Sequence, residues 1–281
     1  IPPLANFFFM RDAAMCVNDR VISGVMANRV RVAEAVIMKQ IFTHHPAMRG
    51  SGFYLDGTQA GQPASTIEGG DVLLLREDVL LIGESERTSI SGIDALIQRL
   101  IKADHIKHIF VVQIPKLRAT IHLDMIFTMV DMDKCVAFTP FITGPKASNT
   151  IHIRVEKNAV KAMQNEGDLL PALKRVGIDL EVIPCGGTDF IHQEREQWTS
   201  GANFFTIAPG KIIGYGRNRR TFEELYKHGF EIVRFSDVLS KNVDLHALDR
   251  FAVSIEGAEL SRGGGGCRCM TLPVKRAAVP W

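Results

Sequence analysis

The sequence lacks long apolar segments and an excess of either charge. No window approaches the roughly 18 uninterrupted apolar residues that a membrane-spanning helix needs, and no signal-peptide pattern opens the chain. Lys and Arg number 33 against 31 Asp and Glu, so the formal net charge is only +2. Nucleic-acid binding proteins usually carry a basic footprint that is missing here. We therefore predict no membrane and no nucleic-acid partner, and we favour a small-molecule substrate.

Cysteine is scarce and irregularly spaced. An odd number of cysteines without regular spacing does not indicate a disulfide framework. Cys267 and Cys269 are separated by a single residue, which is too close for a C-x-x-C metal or redox motif. No cysteine–histidine cluster accompanies them. We expect no metal and a reducing, cytoplasmic location. The five cysteines are Cys16, Cys135, Cys185, Cys267 and Cys269.

Four segments share one pattern of two short apolar strands joined by a polar turn. Their turns contain Asn, Asp or Gly, which tolerate turn backbone angles. A helical pattern and a further strand follow most of them. The hairpins are predicted at residues 7–24, 71–87, 124–142 and 203–218, the helices at 31–42, 90–101 and 221–228, and the later strands at 109–114 and 180–183.

The sequence thus predicts an α/β fold of about four strand-strand-helix-strand units in one domain, residues 1–281. Repetition at this period indicates units arranged around a common axis. We expect the helix at residues 31–42 to pack through Val32, Ala35, Val36 and Ile41. Residues 236–260 read as an insertion in which Leu245, Leu248, Phe251, Ala252 and Ile255 fall at helical spacing.

Carboxylate, imidazole and thiol side chains stand at matching strand starts and ends of these units. A radial arrangement of the units would bring these side chains together. They are Asp12, Glu68, Asp71, His122, Asp124 and Cys269. Taken singly, Asp12 fits a surface ion pair, Glu68 a turn cap and His122 a core histidine. Strand alternation, however, would place His122 and Asp124 on one face, and a buried strand rarely aims two polar groups at an apolar core.

A glycine-rich segment precedes the two C-terminal cysteines. Four consecutive glycines, residues 263–266, let the backbone adopt positive φ and approach a ligand closely. Arg268 lies beside both thiols and would lower a thiol pKa, and the thiolate is the attacking form. A flexible turn with two chance cysteines is the alternative interpretation.

Carboxylates, an imidazole and a thiol form a set suited to a guanidinium substrate. Two carboxylates can grip the planar cation from its edges, and a thiolate above the plane can add to its central carbon. An imidazole can protonate the leaving ammonia and then activate water.

Five ordered motifs resemble the signature of the arginine deiminases, members of the amidinotransferase (guanidino-group-modifying) superfamily. The resemblance implies a pseudo-fivefold α/β propeller that hydrolyses L-arginine to L-citrulline and ammonia through a covalent cysteine thiouronium, without a cofactor. The motifs are N-F-F-F-M-R-D (6–12), E-G-G-D (68–71), L-L-I-G-E-S-E-R-T-S (80–89), H-L-D (122–124) and G-G-G-G-C-R-C-M-T (263–271).

By this resemblance, Cys269 is the nucleophile and His122 the general acid/base, assisted by Glu68. Asp12 and Asp124 match the guanidinium-binding aspartates. The residues matched to the substrate pocket are Asn6, Phe9, Arg31, Arg87 and Asp71, with Arg31 and Arg87 as the pair that holds the substrate carboxylate.

The sequence departs from the family pattern in two places, at its N-terminus and in the glycine segment. The chain starts at Ile1, and the family's N-terminal unit is expected to be missing, so a second polypeptide would supply it or the propeller would be open. Gly264 stands where some members carry an arginine. A homo-oligomer, a non-catalytic guanidine-binding homologue, and an enzyme for agmatine, methylarginine or amidino transfer stay open as alternatives.

Overall fold

The computed structural model describes residues 3–4, 6–48, 50, 52–59, 65–103 and 105–281. Their strands are β1 (Ala14–Val17), β2 (Arg20–Ser23), β3 (Phe53–Asp56), β4 (Val72–Arg76), β5 (Val79–Glu84), β6 (His108–Gln113), β7 (Phe127–Met129), β8 (Lys134–Ala137), β9 (Asn149–Glu156), β10 (Ala159–Gly167), β11 (Glu181–Pro184), β12 (Phe205–Ala208), β13 (Lys211–Tyr215), β14 (Glu231–Arg234) and β15 (Phe251–Ile255).

The α-helices are short, and several cover the apolar strands of the unit to which they belong. They are α1 (Met10–Ala13), α2 (Val32–His44), α3 (Ile90–Leu100), α4 (Thr139–Ile142), α5 (Leu169–Arg175), α6 (Phe190–Trp198), α7 (Arg219–Lys227) and α8 (Phe235–Leu239). Among the residues described, no helix combines the length and apolar character that crossing a bilayer requires.

The strands of the described residues form four mixed sheets that repeat one connection. In each sheet an antiparallel hairpin comes first, and a strand after a helix is then added in parallel. The strand orders are β1-β2-β3, β10-β9-β6-β5-β4, β11-β8-β7 and β12-β13-β15-β14. The four predicted hairpins, the three predicted helices and the two later strands are confirmed, although α1 replaces the start of the first predicted strand.

The chain divides into two compact units. The first unit comprises Ile1–Leu123, Ser148–Gly167 and Cys269–Trp281, and the second comprises Asp124–Ala147 and Asp168–Arg268. The expectation of a single catalytic domain stays a prediction.

The first unit has a core around its five-stranded sheet. Leu80 and Ile82 of β5 and Ile109 of β6 are fully buried against Leu96 and Leu100 of α3. The apolar stripe on α3 matches its 3.6-residue period, so burial of that stripe stabilises the helix on the sheet. A second cluster packs α2 on β1 and β2.

The buried face of α2 differs from the prediction. Ala35 and Met38 are buried as a helical face requires, but Val32 and Val36 are about two-fifths exposed. Glu34 is instead fully buried. The prediction holds for Ala35 and for Ile41, which packs partly buried against the same cluster. It was wrong for Val32 and Val36, because Glu34 has partners inside the protein that the apolar pattern does not reveal.

The second unit has its own core beneath α7. Ile212, Phe204, Phe222 and Leu225 are buried together. Its four-stranded sheet contains β15 between β13 and β14, parallel to both. The helical spacing predicted for residues 245–255 was therefore wrong: a central parallel strand is buried on both faces, so its apolar residues form a run without strand alternation.

Candidate active site

A buried imidazole lies at the centre of the candidate site in the first unit. His122 is 1% exposed, and its Nε2 lies 2.9 Å from Glu68 Oε2. Its Nδ1 lies 3.7 Å from Asp12 Oδ1. The first unit therefore brings together three of the predicted residues.

The His122–Glu68–Asp12 cluster holds a positive charge on the ring. Burial alone would lower the pKa of His122, but the carboxylates of Asp12, Glu68 and Asp71 outweigh burial and raise it to about 10. At neutral pH the ring is thus an imidazolium that donates to Glu68, a proton donor ready to be used.

Two glycines make room for this cluster. A Cβ on Gly70 would lie 2.5 Å from both Cγ and Nδ1 of His122, and one on Gly69 would clash with the backbone oxygen of Arg11. Glu68 Oε1 accepts the Ala27 N–H at 2.9 Å, which fixes the carboxylate. Glycine is thus needed at both positions of the E-G-G-D motif because the Arg11 backbone and the His122 ring approach closely, not because the turn requires flexibility.

The H-L-D segment is not a strand. His122 lies in a bend, and Leu123–Met125 forms a 3-10 turn. The predicted strand alternation of this segment was therefore wrong, although His122 and Asp124 are both buried.

Asp71 holds the H-L-D segment in place. Its Oδ1 accepts the Leu123 N–H at 2.8 Å and its Oδ2 accepts the Ser85 hydroxyl at 2.6 Å. Burial raises the pKa of Asp71 to about 7, against the lowering effects of His122 and these hydrogen bonds. These contacts position the backbone next to His122, and the role of Asp71 in binding substrate stays a prediction.

Asp12 already binds a guanidinium group, that of Arg31. Arg31 Nη1 lies 2.6 Å from Asp12 Oδ2, and its Nε donates to Glu34 Oε2 at 2.9 Å. Both partners raise the pKa of Arg31, although burial acts in the opposite direction. Within the part of the chain that the structure describes, Asp12 Oδ1 accepts no hydrogen bond, so one buried acceptor stays available.

The Arg31–Asp12–Glu34 network also orders the predicted pocket residues Asn6 and Phe9. Arg31 Nη2 donates to the Phe9 carbonyl at 3.0 Å, and the Asn6 N–H donates to Glu34 Oε1 at 3.0 Å. Phe9 is 4% exposed. Glu34 was not predicted, and only its place on a helix face next to Arg31 could have suggested it.

Arg87 has a more open position than Arg31. Its Nη1 lies 3.9 Å from Glu68 Oε1, and its side chain is 19% exposed. Of the two arginines predicted to hold the substrate carboxylate, Arg87 is the one whose guanidinium is partly accessible.

The segment that carries Cys269 passes directly beside Asp12 in the first unit. The Arg11 N–H donates to the Cys269 carbonyl at 3.2 Å, and Arg11 Nη2 donates to Thr271 Oγ1 at 3.1 Å. Cys269 is 3% exposed.

In the second unit, Asp124 is fully buried and Arg268 faces it. Arg268 Nε lies 3.4 Å from Asp124 Oδ2. Asn203, which was not predicted, donates through Nδ2 to the Asp124 carbonyl at 3.0 Å. A Cβ on Gly266 would lie 2.6 Å from Asn203 Oδ1. Asn203 therefore contacts both the Asp124 backbone and the glycine segment.

The other cysteine of the glycine segment, Cys267, has a raised thiol pKa. Burial raises its pKa to about 12, so almost none of it is thiolate at neutral pH.

One group of residues has metal-ligand geometry. Ligand atoms of Asp12, Glu68 and His122 all lie within 4.8 Å of one another. A metal would have to displace the proton of the His122 ring, which the surrounding carboxylates stabilise. The expectation that no metal is used stays a prediction.

Comparisons with known proteins agree with the predicted family. The sequence model of the arginine deiminase family matches residues 1–276. The arginine deiminase of Bacillus thuringiensis subsp. konkukian is 38% identical over 99% of the chain, and that of Treponema denticola is 35% identical over 99%. The matches span 64% and 63% of these relatives, so the chain covers less than two thirds of their length.

Solved structures with the same fold are more distant. The N-terminal domain of ArgZ, described as an arginine dihydrolase from cyanobacteria and bound to product, aligns with TM-score 0.63 and 16% identity, over 100% of this chain and 80% of that one. DDAH from Pseudomonas aeruginosa, in a mutant form complexed with citrulline, aligns with TM-score 0.59 and 17% identity, over 96% and 77%. With the family match and these folds, the chain belongs to the arginine deiminase family.

Proposed function

We propose that this protein hydrolyses L-arginine to L-citrulline and ammonia. The observation that carries the proposal is the buried cluster of His122, Glu68 and Asp12, beside which the backbone of Cys269 is hydrogen-bonded to Arg11. Membership of the arginine deiminase family and curated relatives of that name support the same reaction.

In the proposed first step, the Cys269 thiolate adds to the central guanidinium carbon. A new C–S bond forms, the C–N bond to one terminal nitrogen breaks, and His122 donates the proton with which that nitrogen leaves as ammonia. The raised pKa of His122 fits this role, since the ring carries its proton at the start.

In the proposed second step, water attacks the thiouronium carbon. Neutral His122, held by Glu68, accepts a proton from the water; the C–S bond breaks, and Cys269 leaves as thiolate. The product is citrulline, and the imidazolium is restored. The second proton of the water is lost to solvent from the protonated ureido group. The arginine cation and one water thus give neutral citrulline, ammonia and one proton, which together leave as ammonium.

Asp12 and Asp124 are proposed to bind guanidinium nitrogens. Each already binds an arginine guanidinium of its own unit, Arg31 and Arg268 respectively. Asp12 keeps Oδ1 as a buried acceptor. Arg87 is proposed to bind the substrate carboxylate with Asn6 and Phe9 nearby, and the same role for Arg31 stays a prediction.

We further propose that the four sheets belong to a pseudo-fivefold propeller. The repeated hairpin-helix-strand connection and the related folds support this arrangement. A unit supplied by another segment or polypeptide, a homo-oligomer and a cytoplasmic location stay predictions.

The test is an assay of the purified protein with L-arginine, agmatine and methylarginine. It measures the ureido product, which is citrulline from arginine or methylarginine and N-carbamoylputrescine from agmatine. We expect citrulline from arginine, and a loss of about 10³-fold or more in kcat for Cys269→Ser. Cys267→Ser is the matched control and should keep activity. An acid-quenched reaction should show an intact-mass adduct on wild type that Cys269→Ser lacks.

The opposite results would refute the proposal in distinct ways. Full activity of Cys269→Ser would show that this thiol is not the nucleophile. A folded protein that binds arginine without releasing citrulline would be a guanidine-binding homologue, and faster turnover of agmatine would show that the substrate was misassigned.

A further inference from the structure

A second polar cleft, separate from the candidate active site, lies in the second unit. Its volume is about 260 Å³, and residues of α6 and of the start of α7 line it. Four arginines contribute to the wall, Arg195, Arg217, Arg219 and Arg220, together with His192, Thr199 and one acidic residue, Glu196. We call it the arginine cleft.

The acidic groups around the arginine cleft are already occupied. Glu196 is buried, and its two oxygens accept the N–H groups of Arg220 and Thr221, each at 2.8 Å, at the start of α7. Asp189 accepts the His192 N–H at the start of α6. Each carboxylate therefore caps a helix, and its hydrogen-bond acceptors are used by backbone donors. Both carboxylates also interact electrostatically with Arg220, and Asp189 Oδ1 lies 3.5 Å from His192 Nδ1.

Three guanidinium groups of the cleft lack an acidic partner. Arg220 donates to Glu223 at 2.8 Å, but Arg217 donates only to neutral acceptors, the Ala258 carbonyl at 3.1 Å and the Ser261 hydroxyl at 2.8 Å. Among the described residues, the side chains of Arg195 and Arg219 form no ion pair or hydrogen bond, and both residues are exposed.

Four arginines against the one lining carboxylate of Glu196 give the cleft an excess of positive charge. Several arginines elsewhere in this molecule pair directly with acids: Arg76 with Asp78, Arg250 with Asp131 and Arg262 with Glu259. What distinguishes the cleft is that Arg195, Arg217 and Arg219 line one concave surface without an acidic partner among the described residues.

From this geometry we infer that the arginine cleft binds a phosphoryl oxyanion through Arg195, Arg219 and Arg217. Guanidinium groups match phosphate oxygens with paired N–H donors. The volume lies below the roughly 300–1,000 Å³ typical of drug-sized ligand sites, so inorganic phosphate or the phosphate group of a small metabolite fits better than a large ligand. The inference does not depend on the proposed hydrolysis of arginine.

The test is calorimetric titration of the whole protein with inorganic phosphate, pyrophosphate and methyl phosphate at low ionic strength. The variant is Arg195→Gln with Arg219→Gln, which removes two exposed charges and no described side-chain contact. Arg99→Gln with Arg234→Gln is the matched control, since it removes two exposed arginine charges elsewhere. Thermal unfolding of each variant shows that it is folded.

We expect wild type and control to bind phosphate or pyrophosphate and the cleft variant to bind at least about tenfold more weakly, since charge-assisted hydrogen bonds are lost. Binding of methyl phosphate as tightly as inorganic phosphate would assign the site to phosphorylated metabolites, and preference for inorganic phosphate would assign it to the free ion. No binding by wild type, equal loss in the control, or the same heat from sodium chloride at matched ionic strength would overturn the inference.

Discussion

The two aspartates proposed to bind a guanidinium are held in different ways in the two units. Asp12 receives Arg31 at 2.6 Å, and Arg31 is further fixed by Glu34, with both acidic side chains almost completely buried. Asp124 faces Arg268 at 3.4 Å, and the Arg268 side chain is 14% exposed.

The difference in contact distance makes Arg31 the more tightly held arginine and Arg268 the less tightly held one. Arg31 ties Asp12 to α2 and to the Phe9 carbonyl, so it preorganises a carboxylate whose second oxygen stays available. Arg268 makes the longer contact and stands next to Cys269 in the chain.

The largest expected effect is on stability when Arg31 is removed. Arg31→Met leaves the buried carboxylates of Asp12 and Glu34 without their partner, and breaking a buried ion pair costs about 3–5 kcal/mol. Arg268→Met should cost about 1–2 kcal/mol, because its contact with Asp124 is longer. Urea unfolding of both variants measures the difference.

Arg31→Lys is the control, since it keeps the charge but loses the planar fork. It should fall between wild type and Arg31→Met in free energy of unfolding. Equal losses for Arg31→Met and Arg268→Met would remove the distinction between the two aspartates.

A second contrast concerns glycines of the two units. Gly70→Ala places a Cβ 2.5 Å from the His122 ring, and overpacking of this kind costs about 1–3 kcal/mol. It should also lower kcat, because the ring must move. Gly264 has φ +88° and open space around its Cβ position, so Gly264→Asn should cost less than about 1 kcal/mol, since Asn tolerates positive φ.

Thermal unfolding and citrulline release separate the two variants. Full activity of Gly70→Ala would show that the position of the His122 ring is not critical. A larger loss of stability in Gly264→Asn than in Gly70→Ala would reverse the contrast.

Hairpin, helix and strand order could be predicted from sequence because each element has a local period. The hairpin of β4 and β5 and the following α3 have turn residues and an apolar stripe that need no tertiary information. The E-G-G-D motif likewise marks the place where Gly70 admits the His122 ring.

Elements defined by long-range contacts could not be predicted. The hairpin of β9 and β10 was missed because β10 is an exposed edge strand whose polar residues form no apolar pattern. The strand β15 looked helical because Phe251, Ala252 and Ile255 fit both periods.

The candidate site shows the same limit. Its residue types could be predicted, but not that Arg31 would bind Asp12. That contact joins residues 19 positions apart and depends on the buried Glu34. No local pattern contains this information.

The arginines predicted to hold the substrate carboxylate give a third contrast, between Arg31 and Arg87. Arg87→Ala should raise KM for arginine by about tenfold or more, because one charge-assisted hydrogen bond contributes a binding free energy of about that factor. KM for agmatine should change little, because agmatine has no carboxylate. Steady-state kinetics on both substrates measure this, and equal increases would show that Arg87 does not bind the carboxylate.

The last contrast is the pH dependence of the free energy of unfolding between pH 7 and 8, which should come from His122 in the first unit. The pKa of His122 is about 10 in the folded protein against 6.5 for an ordinary histidine, so the folded state holds one more proton between these values. The stabilisation is fully present below pH 6.5 and is lost as pH rises to 10, at about 1.4 kcal/mol per pH unit for one proton.

Asp71, whose pKa is raised from 3.8 to about 7, acts with the same sign at lower pH. Its stabilisation is present below pH 3.8 and lost by about pH 7. Burial also raises the thiol pKa values of Cys16, Cys135, Cys185 and Cys267 above the ordinary 9.0, so the thiols add to the dependence at higher pH. Unfolding measured between pH 7 and 8 therefore reports on His122. His122→Gln should flatten the dependence in that range, whereas His105→Gln, at an exposed position, should not. An unchanged slope in His122→Gln would mean that the ring does not hold its proton in the folded protein, and that the proton for the departing ammonia must come from elsewhere.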